Sequence, residues 1–257
     1  MSNTQSILKV RDLEKRFGGV VAAEEINISV TQGQRLSLIG ANGAGKTTFM
    51  NIVTGYLKPD AGQILLDDDD ITRLKPRQIT QRGVTRSFQI PQLCEPMTVL
   101  ENVMVAIGAA GQRFSFLRPA HESVTTDAAH EILGRFALDA YAHRTVSELP
   151  GGVRKLIDIA MAMARRPKLL LLDEPTSGVS VDEKFPLIQT VMDALSTEDA
   201  TVIFVEHDME IVSRYSDRVL AFASGRVIAD GAPGEVLSDS AVQTYVTGMP
   251  RAPEAAG

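Results

Sequence analysis

Short apolar runs recur along the chain and are typical of strands that are buried on both faces of a parallel sheet. Residues 35–39, 168–173 and 202–205 are runs of this kind. Apolar spacing typical of a helix follows the first run over residues 48–54, and it recurs over residues 153–166. This alternation of strands and helices predicts an α/β fold with a mainly parallel sheet.

Further strand patterns lie near both ends of the chain. Residues 7–30 alternate apolar and polar positions in places, and residues 63–66 form another short strand pattern. Residues 219–222 and 226–229 flank Ser224-Gly225, which predicts a β-hairpin.

The middle of the chain is predicted to be mostly helical, roughly over residues 97–146. Thr98 and Glu101 have the spacing of a capping box at the start of its first helix. Residues 131–136 support another helix, and residues 84–89 form a short apolar strand before the helical region.

Four adjacent aspartates, Asp67 to Asp70, suggest a metal site at first sight. However, neighbouring side chains on an extended chain point to opposite faces, and like charges repel each other. A solvated turn is therefore the better interpretation of this run.

The composition is that of a globular protein, and it limits the classes of partner. The chain has 257 residues, of which 44% are hydrophobic, and its net charge is -6 with a pI of about 5.3. An acidic balance disfavours a nucleic-acid partner, which usually requires a basic face. The one cysteine, Cys94, allows neither an internal disulfide nor a thiolate metal site, and it is interpreted as a small buried apolar residue.

No apolar run approaches the roughly 18 residues that a membrane-spanning helix requires. The N-terminus is polar and lacks the apolar core of a signal peptide. The sequence therefore predicts a soluble, cytoplasmic protein that reaches a membrane only through a partner.

The segment from Gly40 to Thr47 has the residue types and spacing of a phosphate-binding loop. It lies between a predicted strand and a predicted helix, where several backbone N–H groups can surround one anion. Lys46 is expected to contact the β- and γ-phosphates of a nucleotide, and the Thr47 hydroxyl is expected to bind Mg²⁺. The predicted nucleotide ligands in this segment are Gly40, Asn42, Gly43, Gly45, Lys46, Thr47 and Thr48.

Two acidic residues, Asp173 and Glu174, directly follow the leucines at residues 169–172. Ligands of α/β sheets bind outside the carboxyl ends of the strands. We therefore expect Asp173 to lie near Mg²⁺ and Glu174 to lie near the γ-phosphate, where its carboxylate can polarise an attacking water.

Taken together, the loop, the acidic pair and the following Pro175-Thr176-Ser177-Gly178 resemble the motifs of the ATP-binding subunits of ABC transporters. The resemblance extends over residues 7–248. It implies an α/β P-loop NTPase core with a mainly parallel sheet, an N-terminal antiparallel β subdomain and an inserted α-helical subdomain at about residues 92–165. Residues 5–250 would then form a single ATPase domain, followed by a disordered tail at residues 251–257.

The resemblance also implies roles for three residues outside the loop. Phe17 corresponds to the aromatic residue that stacks on adenine, a contact worth roughly 1–3 kcal/mol, and a place in the core is the alternative for this side chain. Gln89 begins the glutamine loop, which reaches Mg²⁺ or the water and usually touches the membrane subunits. His207 corresponds to the switch histidine at the γ-phosphate. With ATP and Mg²⁺ as cofactors, the implied catalytic residues are Lys46, Gln89, Glu174 and His207, and the implied metal ligands are Thr47, Gln89 and Asp173.

The signature motif of the family is altered in this chain. The family usually has Leu-Ser-Gly-Gly-Gln, whereas the chain has Leu149-Pro150-Gly151-Gly152-Val153. Gly151 and Gly152 can still present N–H groups to a phosphate, but Pro150 lacks the serine hydroxyl, whose hydrogen bond is worth roughly 0.5–1.5 kcal/mol. In this family the signature faces the ATP of the partner subunit. We therefore expect a heterodimer with a different ATPase and two unequal ATP sites, with a homodimer as the alternative.

The loop after Gly178 also departs from the family, which usually carries an acid after Gly-Leu. The chain has Val179-Ser180 there, and Ser180 with Glu183 is expected to cap the following helix. Pro186 is expected to shorten or bend that helix, because proline lacks a backbone donor and clashes with the preceding turn.

The residues around Gln89, from Ile79 to Ala106, are similar to those of branched-chain amino-acid importers. The resemblance implies a subunit that binds and hydrolyses ATP to power import of branched-chain amino acids or of a related polar, amide or aromatic solute. The implied partners are a second ABC ATPase, two membrane permease subunits and, indirectly, an external solute-binding protein, at the inner face of the plasma membrane. Because few residues follow residue 248, we expect no extra regulatory domain of the kind that some sugar and methionine importers carry.

Two other functions stay open at this point. ABC-type ATPases that act on DNA share the same motifs, but they insert long coiled coils that this sequence lacks, and the acidic charge disfavours DNA. The second alternative is a subunit that binds ATP with little turnover, against which the presence of Glu174 and His207 argues.

Overall fold

The computed structural model of the chain describes residues 5–110, 122–196 and 200–246. The chain divides into two compact units. The first unit comprises Met1–Arg82 and Thr201–Gly257, and the second unit comprises Gly83–Ala200. The single domain predicted over residues 5–250, with its helical insertion, stays a prediction.

The regular elements are numbered in chain order. The strands are β1 (Ser6–Phe17), β2 (Val20–Thr31), β3 (Arg35–Gly40), β4 (Ala61–Leu66), β5 (Asp69–Asp70), β6 (Val84–Ser87), β7 (Leu169–Asp173), β8 (Thr201–Val205), β9 (Arg218–Ala223) and β10 (Arg226–Gly231). The α-helices are α1 (Lys46–Val53), α2 (Pro76–Gln81), α3 (Val99–Ala110), α4 (Glu122–Arg135), α5 (Gly151–Met163), α6 (Val181–Ser196), α7 (Met209–Tyr215), α8 (Pro233–Ser238) and α9 (Ser240–Tyr245). The tail predicted at residues 251–257 lies outside the described residues.

The first unit contains an antiparallel sheet from the N-terminal part of the chain, in the order β2-β1-β4-β5. On β2, the apolar side chains of Ile26, Ile28 and Val30 are buried, whereas the polar side chains between them are exposed. This period of two gives the sheet one core face and one solvated face. The expected N-terminal antiparallel β subdomain is confirmed.

The aspartate run at residues 67–70 is partly a turn and partly a strand. Asp67 and Asp68 form the turn and have positive φ angles of 49° and 66°. Asp69 and Asp70 form β5, so a turn over all four residues was too long a prediction. The Asp70 carboxylate accepts hydrogen bonds from Gln63 and Thr72, which hold it beside β4. Across the described ranges, no group of three His, Cys, Asp or Glu side chains could hold a metal ion.

The first unit also contains the strand that precedes the phosphate-binding loop. Its strand order is β10-β9-β3-β8, and β3 is parallel to both β8 and β9. The predicted hairpin is confirmed, because β9 and β10 are antiparallel around Ser224 and Gly225, both with positive φ. Phe49 of α1 packs against Phe222 of β9 with ring centroids 5.9 Å apart. These contacts place the carboxyl ends of β3 and β8 at one sheet edge, on a packed core.

The second unit contains the parallel pair β6 and β7, with Ser87 opposite Leu172 at its carboxyl end. Every residue of β7 is buried, as the leucine run predicts. The predicted strand at residues 84–89 ends earlier, at Ser87, because the backbone of Phe88 and Gln89 binds side chains of α5 instead of a strand.

The helical middle of the chain is less continuous than predicted. Helices α3 and α4 are followed by short 3-10 helices at Asp139–Tyr141 and Val146–Glu148. The predicted capping box is confirmed, since Thr98 donates to the Glu101 carboxylate and accepts from the Glu101 N–H. Within the described ranges, no helix is both long and apolar enough to cross a membrane.

Two smaller predictions about this unit are corrected, one of them in part. Pro186 does not shorten α6, which continues to Ser196, and a bend at the proline stays a prediction. The proline forfeits the single bond to the Asp182 carbonyl, and the buried apolar face of the helix continues beyond it. Cys94 is exposed and not buried. It lies in the loop before α3, where the Asn102 side chain of that helix binds both its backbone N–H and its backbone carbonyl.

Candidate functional site

The phosphate-binding loop joins β3 to α1 in the first unit. Gly45 occupies the N-cap of α1 with a φ of 110°, a conformation that L side chains rarely adopt. A Cβ atom at this position would lie 2.5 Å from the carbonyl oxygen of Ala22, which is too close for any side chain. Glycine is therefore required here by the fold of this chain.

Lys46 lies at the start of α1 with its side chain folded over the loop. It is buried, and its Nζ donates hydrogen bonds to the carbonyls of Gly40 at 2.6 Å and Ala41 at 3.1 Å. Thr47 is exposed and Thr48 is half-buried. The loop thus combines a fixed ammonium group with an accessible hydroxyl at a helix N-terminus, where anions bind favourably.

The β9–β10 hairpin supports this loop from within the same unit. The Gly225 N–H donates to the Ala44 carbonyl at 3.0 Å, and the Gly225 carbonyl accepts from the Glu24 N–H at 2.8 Å. The Glu24 carboxylate also pairs with Arg226. A strand of the antiparallel sheet is therefore tied to the loop through one hairpin turn.

Phe17 ends β1, and its side chain is 50% exposed. The alternative that Phe17 is a core residue is therefore wrong. The ammonium of Lys15 lies 5.5 Å from the ring centroid, which is within cation–π range. The Phe17 ring, at the turn between β1 and β2, therefore has an exposed aromatic surface that is available for stacking on a base.

His207 follows β8, the strand that pairs with β3. Its side chain is exposed, and its backbone N–H donates to the carboxylate of the buried Glu206 at 3.1 Å. Because parallel strands end at one edge, His207 leaves the sheet on the same side as the phosphate-binding loop.

Asp173 ends β7 in the second unit and is buried against a cation. Arg86 of β6 pairs with its carboxylate, and both side chains are less than a tenth exposed. The Arg86 guanidinium also lies 5.0 Å from the centroid of the Phe88 ring. Arg86 was not predicted as a site residue, because one arginine in a four-residue strand carries no motif.

Glu174 has a positive φ of 48°, which is unusual for a residue other than glycine. Such a conformation costs about 1–3 kcal/mol and persists where the surrounding structure imposes it. The Gln89 side-chain amide donates to the Glu174 carboxylate at 2.7 Å. The structure thus brings together Gln89, Asp173 and Glu174 at the carboxyl ends of β6 and β7.

The altered signature forms the start of α5. Pro150 is the N-cap residue and offers no side-chain cap. A Cβ atom on Gly151 would come no closer than 3.9 Å to another atom, and one on Gly152 no closer than 3.7 Å. In the loop between β7 and α6, the Ser180 hydroxyl donates to the Glu183 carboxylate at 2.8 Å, at the start of α6.

Helix α5 also carries two buried charged side chains that the sequence did not predict. Lys155 and Asp158 both lie on the inner side of the helix. Burial raises the pKa of the Asp158 carboxyl, against the opposing effect of hydrogen bonds from Ser87, Gln92 and Phe88. An i, i+3 pair of opposite charges usually indicates an exposed helix face, so the sequence carried no signal for burial.

The predicted site residues fall into two sets. The first unit carries Phe17, the loop residues from Gly40 to Thr48, and His207. The second unit carries Gln89, Gly151, Gly152, Asp173 and Glu174. Their joint action on one nucleotide stays a prediction.

Comparisons with known proteins agree with one another. A family model described as ABC transporter matches residues 23–177. The probable branched-chain amino acid transport ATP-binding protein LivG of Archaeoglobus fulgidus is 36% identical over 247 residues, which cover 93% of this chain and 95% of that protein. The high-affinity branched-chain amino acid transport ATP-binding protein LivG of Escherichia coli is 35% identical over 245 residues, covering 92% and 95%.

Solved structures are also similar to this chain. An ATP-binding cassette of an ABC transporter in its ADP conformation has a TM-score of 0.82 and 33% identity, covering 94% of this chain and 98% of that chain. A nucleotide-free ATP-binding cassette has a TM-score of 0.81 and 31% identity, covering 93% and 97%.

Proposed function

The chain belongs to the ABC transporter family, and on that premise we propose that it is the ATP-hydrolysing subunit of a solute importer. The observation that carries the hydrolytic role is Glu174, whose carboxylate directly follows a buried strand in a strained backbone conformation and is held by the Gln89 amide. Strain at a carboxylate beside a nucleotide motif is typical of a functional position.

Nucleotide binding is assigned to the first unit. The Phe17 ring stacks on adenine, and the backbone N–H groups of the loop bind the phosphates. The Lys46 ammonium neutralises charge on the β- and γ-phosphates. Its bonds to two loop carbonyls hold it at the loop before it meets the nucleotide.

Hydrolysis is assigned to Glu174, Gln89 and His207. The Glu174 carboxylate accepts a proton from the attacking water as general base. The Gln89 amide orients that carboxylate and the water. The exposed imidazole of His207 contacts the γ-phosphate, where charge changes as the bond to the leaving group breaks.

The oxygen donors of the chain fit Mg²⁺, which prefers carboxylate and other hard oxygen ligands. The Thr47 hydroxyl, the Asp173 carboxylate and the Gln89 amide oxygen would hold the ion together with phosphate oxygens. When bound, Mg²⁺ supplies charge neutralisation at the phosphates. Arg86 pairs with the Asp173 carboxylate and holds it in place.

The proposed cargo is a branched-chain amino acid or a related polar, amide or aromatic solute. Support comes from the names of the relatives that align over more than nine tenths of this chain. The proposed partners are two membrane permease subunits, a second ABC ATPase and, indirectly, an external solute-binding protein, at the cytoplasmic face of the plasma membrane. The altered signature at Pro150 and Val153 favours a different ATPase as partner over a second copy.

Replacement of the general base tests the hydrolytic role. Glu174→Gln is expected to lower the ATP hydrolysis rate by about 10²–10⁴-fold, since a general base contributes that much. Nucleotide binding should persist, because the phosphate-binding loop is unchanged, whereas Lys46→Ala should abolish it. Glu131→Gln on the exposed side of α4 is the matched control. An unchanged hydrolysis rate in Glu174→Gln contradicts the assignment.

Purification from membranes tests the proposed assembly. A tagged chain should recover two membrane proteins and a second ABC ATPase of different sequence. Recovery of the membrane proteins with no second ATPase, at two copies of this chain per complex, would refute the heterodimer.

A further inference from the structure

Two opposite charges, Lys155 and Asp158, are almost completely removed from solvent on α5. Lys155 is 2% exposed and Asp158 is 6% exposed. Burial of a charge is costly unless the group is paired and hydrogen-bonded. Both side chains are hydrogen-bonded, mainly by the segment that follows β6, and the charge of Lys155 favours the ionised form of Asp158.

The Lys155 ammonium binds three backbone carbonyls. Its Nζ donates to Phe88 and Gln89 at 2.8 Å each, and to Asp173 at 3.4 Å. A lysine ammonium has three N–H donors and no acceptor, so three carbonyls match its full capacity. One charge on the signature helix therefore binds the backbone of the glutamine loop and of the acidic motif.

The Asp158 carboxylate binds the same loop from a second position. It accepts from the Ser87 hydroxyl at 2.6 Å, from the Phe88 N–H at 3.2 Å and from the Gln92 N–H at 3.0 Å. These donors lie on both sides of Gln89. The loop at residues 87–92 is thus bound at its start and at its end by one helix.

We propose that Lys155 and Asp158 are positioning residues that make α5 and residues 87–92 move as one body. The signature glycines stand at the start of α5, and the Gln89 side chain projects from the bound loop. A displacement of Gln89 therefore displaces Gly151 and Gly152 as well. Since the family signature faces the partner's nucleotide, the pair couples the chain's own ATP to the partner's ATP site, and this consequence rests on the proposed function.

An ion pair also joins the same helix to the chain after residues 87–92, but it lies at the surface. Arg154 pairs with Glu95, and these side chains are 31% and 57% exposed. Exposed pairs contribute little, because water screens the charges and the side chains lose freedom. Arg154→Met therefore provides a control that removes one cation from the same helix without removing the buried contacts.

Hydrogen exchange on the unmodified full-length chain gives the first test. The amides of Phe88 and Gln92 should open together with the amides of α5, and their exchange should respond to low denaturant concentrations in the same way. If residues 87–92 instead exchange more than about tenfold faster than α5 without denaturant, the single body does not exist.

Variants give the second test, which separates positioning from general stability. Lys155→Met and Asp158→Asn should each raise exchange at residues 87–92 by about tenfold or more. The first removes the donor to the Phe88 and Gln89 carbonyls, and the second replaces one acceptor oxygen by an NH2 group that cannot accept. In both variants the hydrolysis rate should fall, while the KM for ATP stays within about twofold, because the phosphate-binding loop keeps its contacts. Arg154→Met should change neither quantity.

The proposal would be overturned if both variants kept the hydrogen exchange at residues 87–92 and the hydrolysis rate of the unmodified chain. It would also be overturned if the KM for ATP rose by the same factor as the hydrolysis rate fell. If Lys155→Met does not fold, Asp158→Asn and the exchange of the unmodified chain decide the question. If the unmodified chain hydrolyses no ATP with its partners, the proposed function fails, and the exchange data still test the buried pair independently.

Discussion

Two glycine-containing turns lead into helices in this chain, and they need glycine for different reasons. In the phosphate-binding loop, Gly45 has a φ of 110° and lies against the Ala22 carbonyl, so any side chain is excluded. In the signature turn, Gly151 and Gly152 begin α5 without a positive φ angle, and an added Cβ atom would meet nothing closer than 3.7 Å. The fold of the chain itself requires glycine in the first turn. In the second turn the fold has space for a side chain at both glycine positions.

This difference separates a requirement of folding from a requirement of binding. A glycine that the fold demands is explained by contacts within one subunit. A glycine that the fold could replace by a larger residue is explained by a ligand that must approach the backbone closely. In this family that ligand is the nucleotide of the partner subunit. The two turns therefore predict opposite relations between stability and activity.

The largest expected effect is at the phosphate-binding loop. Gly45→Ala forces a side chain into a left-handed conformation, at a cost of about 1–3 kcal/mol, and also against a backbone oxygen. The loop must shift, so affinity for ATP should fall by at least about tenfold, together with a lower melting temperature. Titration with a fluorescent nucleotide and thermal unfolding measure both quantities. Normal affinity in this variant would show that the loop is not held as described.

The signature glycines should behave in the opposite way. Gly151→Ala and Gly152→Ala each replace a poor helix former by a good one, which should raise the free energy of unfolding by up to about 1 kcal/mol. The added methyl groups narrow the approach to the helix N-terminus, so ATP hydrolysis in the assembled complex should fall by about tenfold, as for one lost charge-assisted hydrogen bond. Loss of stability without loss of hydrolysis would reverse the comparison.

The sequence alone predicted the elements whose signals are local. The leucine run at residues 169–172, the hairpin around Gly225 and the capping box at Thr98 were each readable from neighbouring residues. The family motifs then supplied the candidate site, because they occur at fixed positions relative to such strands.

Contacts between distant positions were not predictable in the same way. Arg86 and Asp173 meet only because β6 and β7 pair, and the charges of Lys155 and Asp158 look solvent-exposed in a helical pattern. Cys94 was misjudged because a small apolar residue carries no signal that separates a loop from a core. In each case the deciding partner lies at least eight residues away along the chain.

A smaller effect is expected when the signature regains its usual serine. Pro150→Ser places a hydroxyl at the N-cap of α5, which lacks a side-chain cap. The cap is worth about 1 kcal/mol, but the loss of proline relaxes the unfolded chain by about 0.4–1 kcal/mol, so stability should hardly change. One restored hydrogen bond of about 0.5–1.5 kcal/mol should raise hydrolysis at the partner's site by roughly two- to tenfold. A rate that stays constant or falls would mean that Pro150 does not weaken this contact.

The smallest expected effect is on the pH dependence of stability, which should differ between the strand that leads to the phosphate-binding loop and the helix that follows the signature turn. Asp217 binds the backbone and guanidinium of Arg35, at the start of the strand that leads to the phosphate-binding loop. Burial raises the pKa of Asp217, but the hydrogen bonds from Arg35 and its charge outweigh burial, so the pKa is lowered overall. A lowered pKa gives stability that is present above the unfolded value of about 3.9 and is lost as the pH falls through the lower folded value.

Asp217→Asn should therefore cost on the order of 1 kcal/mol or less at neutral pH, because both side chains are 43% exposed. The difference from the unmodified chain should shrink as the pH falls below the unfolded pKa of about 3.9 and disappear once the pH is below the folded pKa of Asp217. Asp158→Asn should follow the opposite trend, because burial raises the pKa of Asp158 and its ionisation therefore opposes folding. The unmodified chain should lose stability relative to Asp158→Asn as the pH rises through the folded pKa. Denaturant unfolding at several pH values measures both slopes, and slopes of the same sign would contradict the contrast between the two scaffolds.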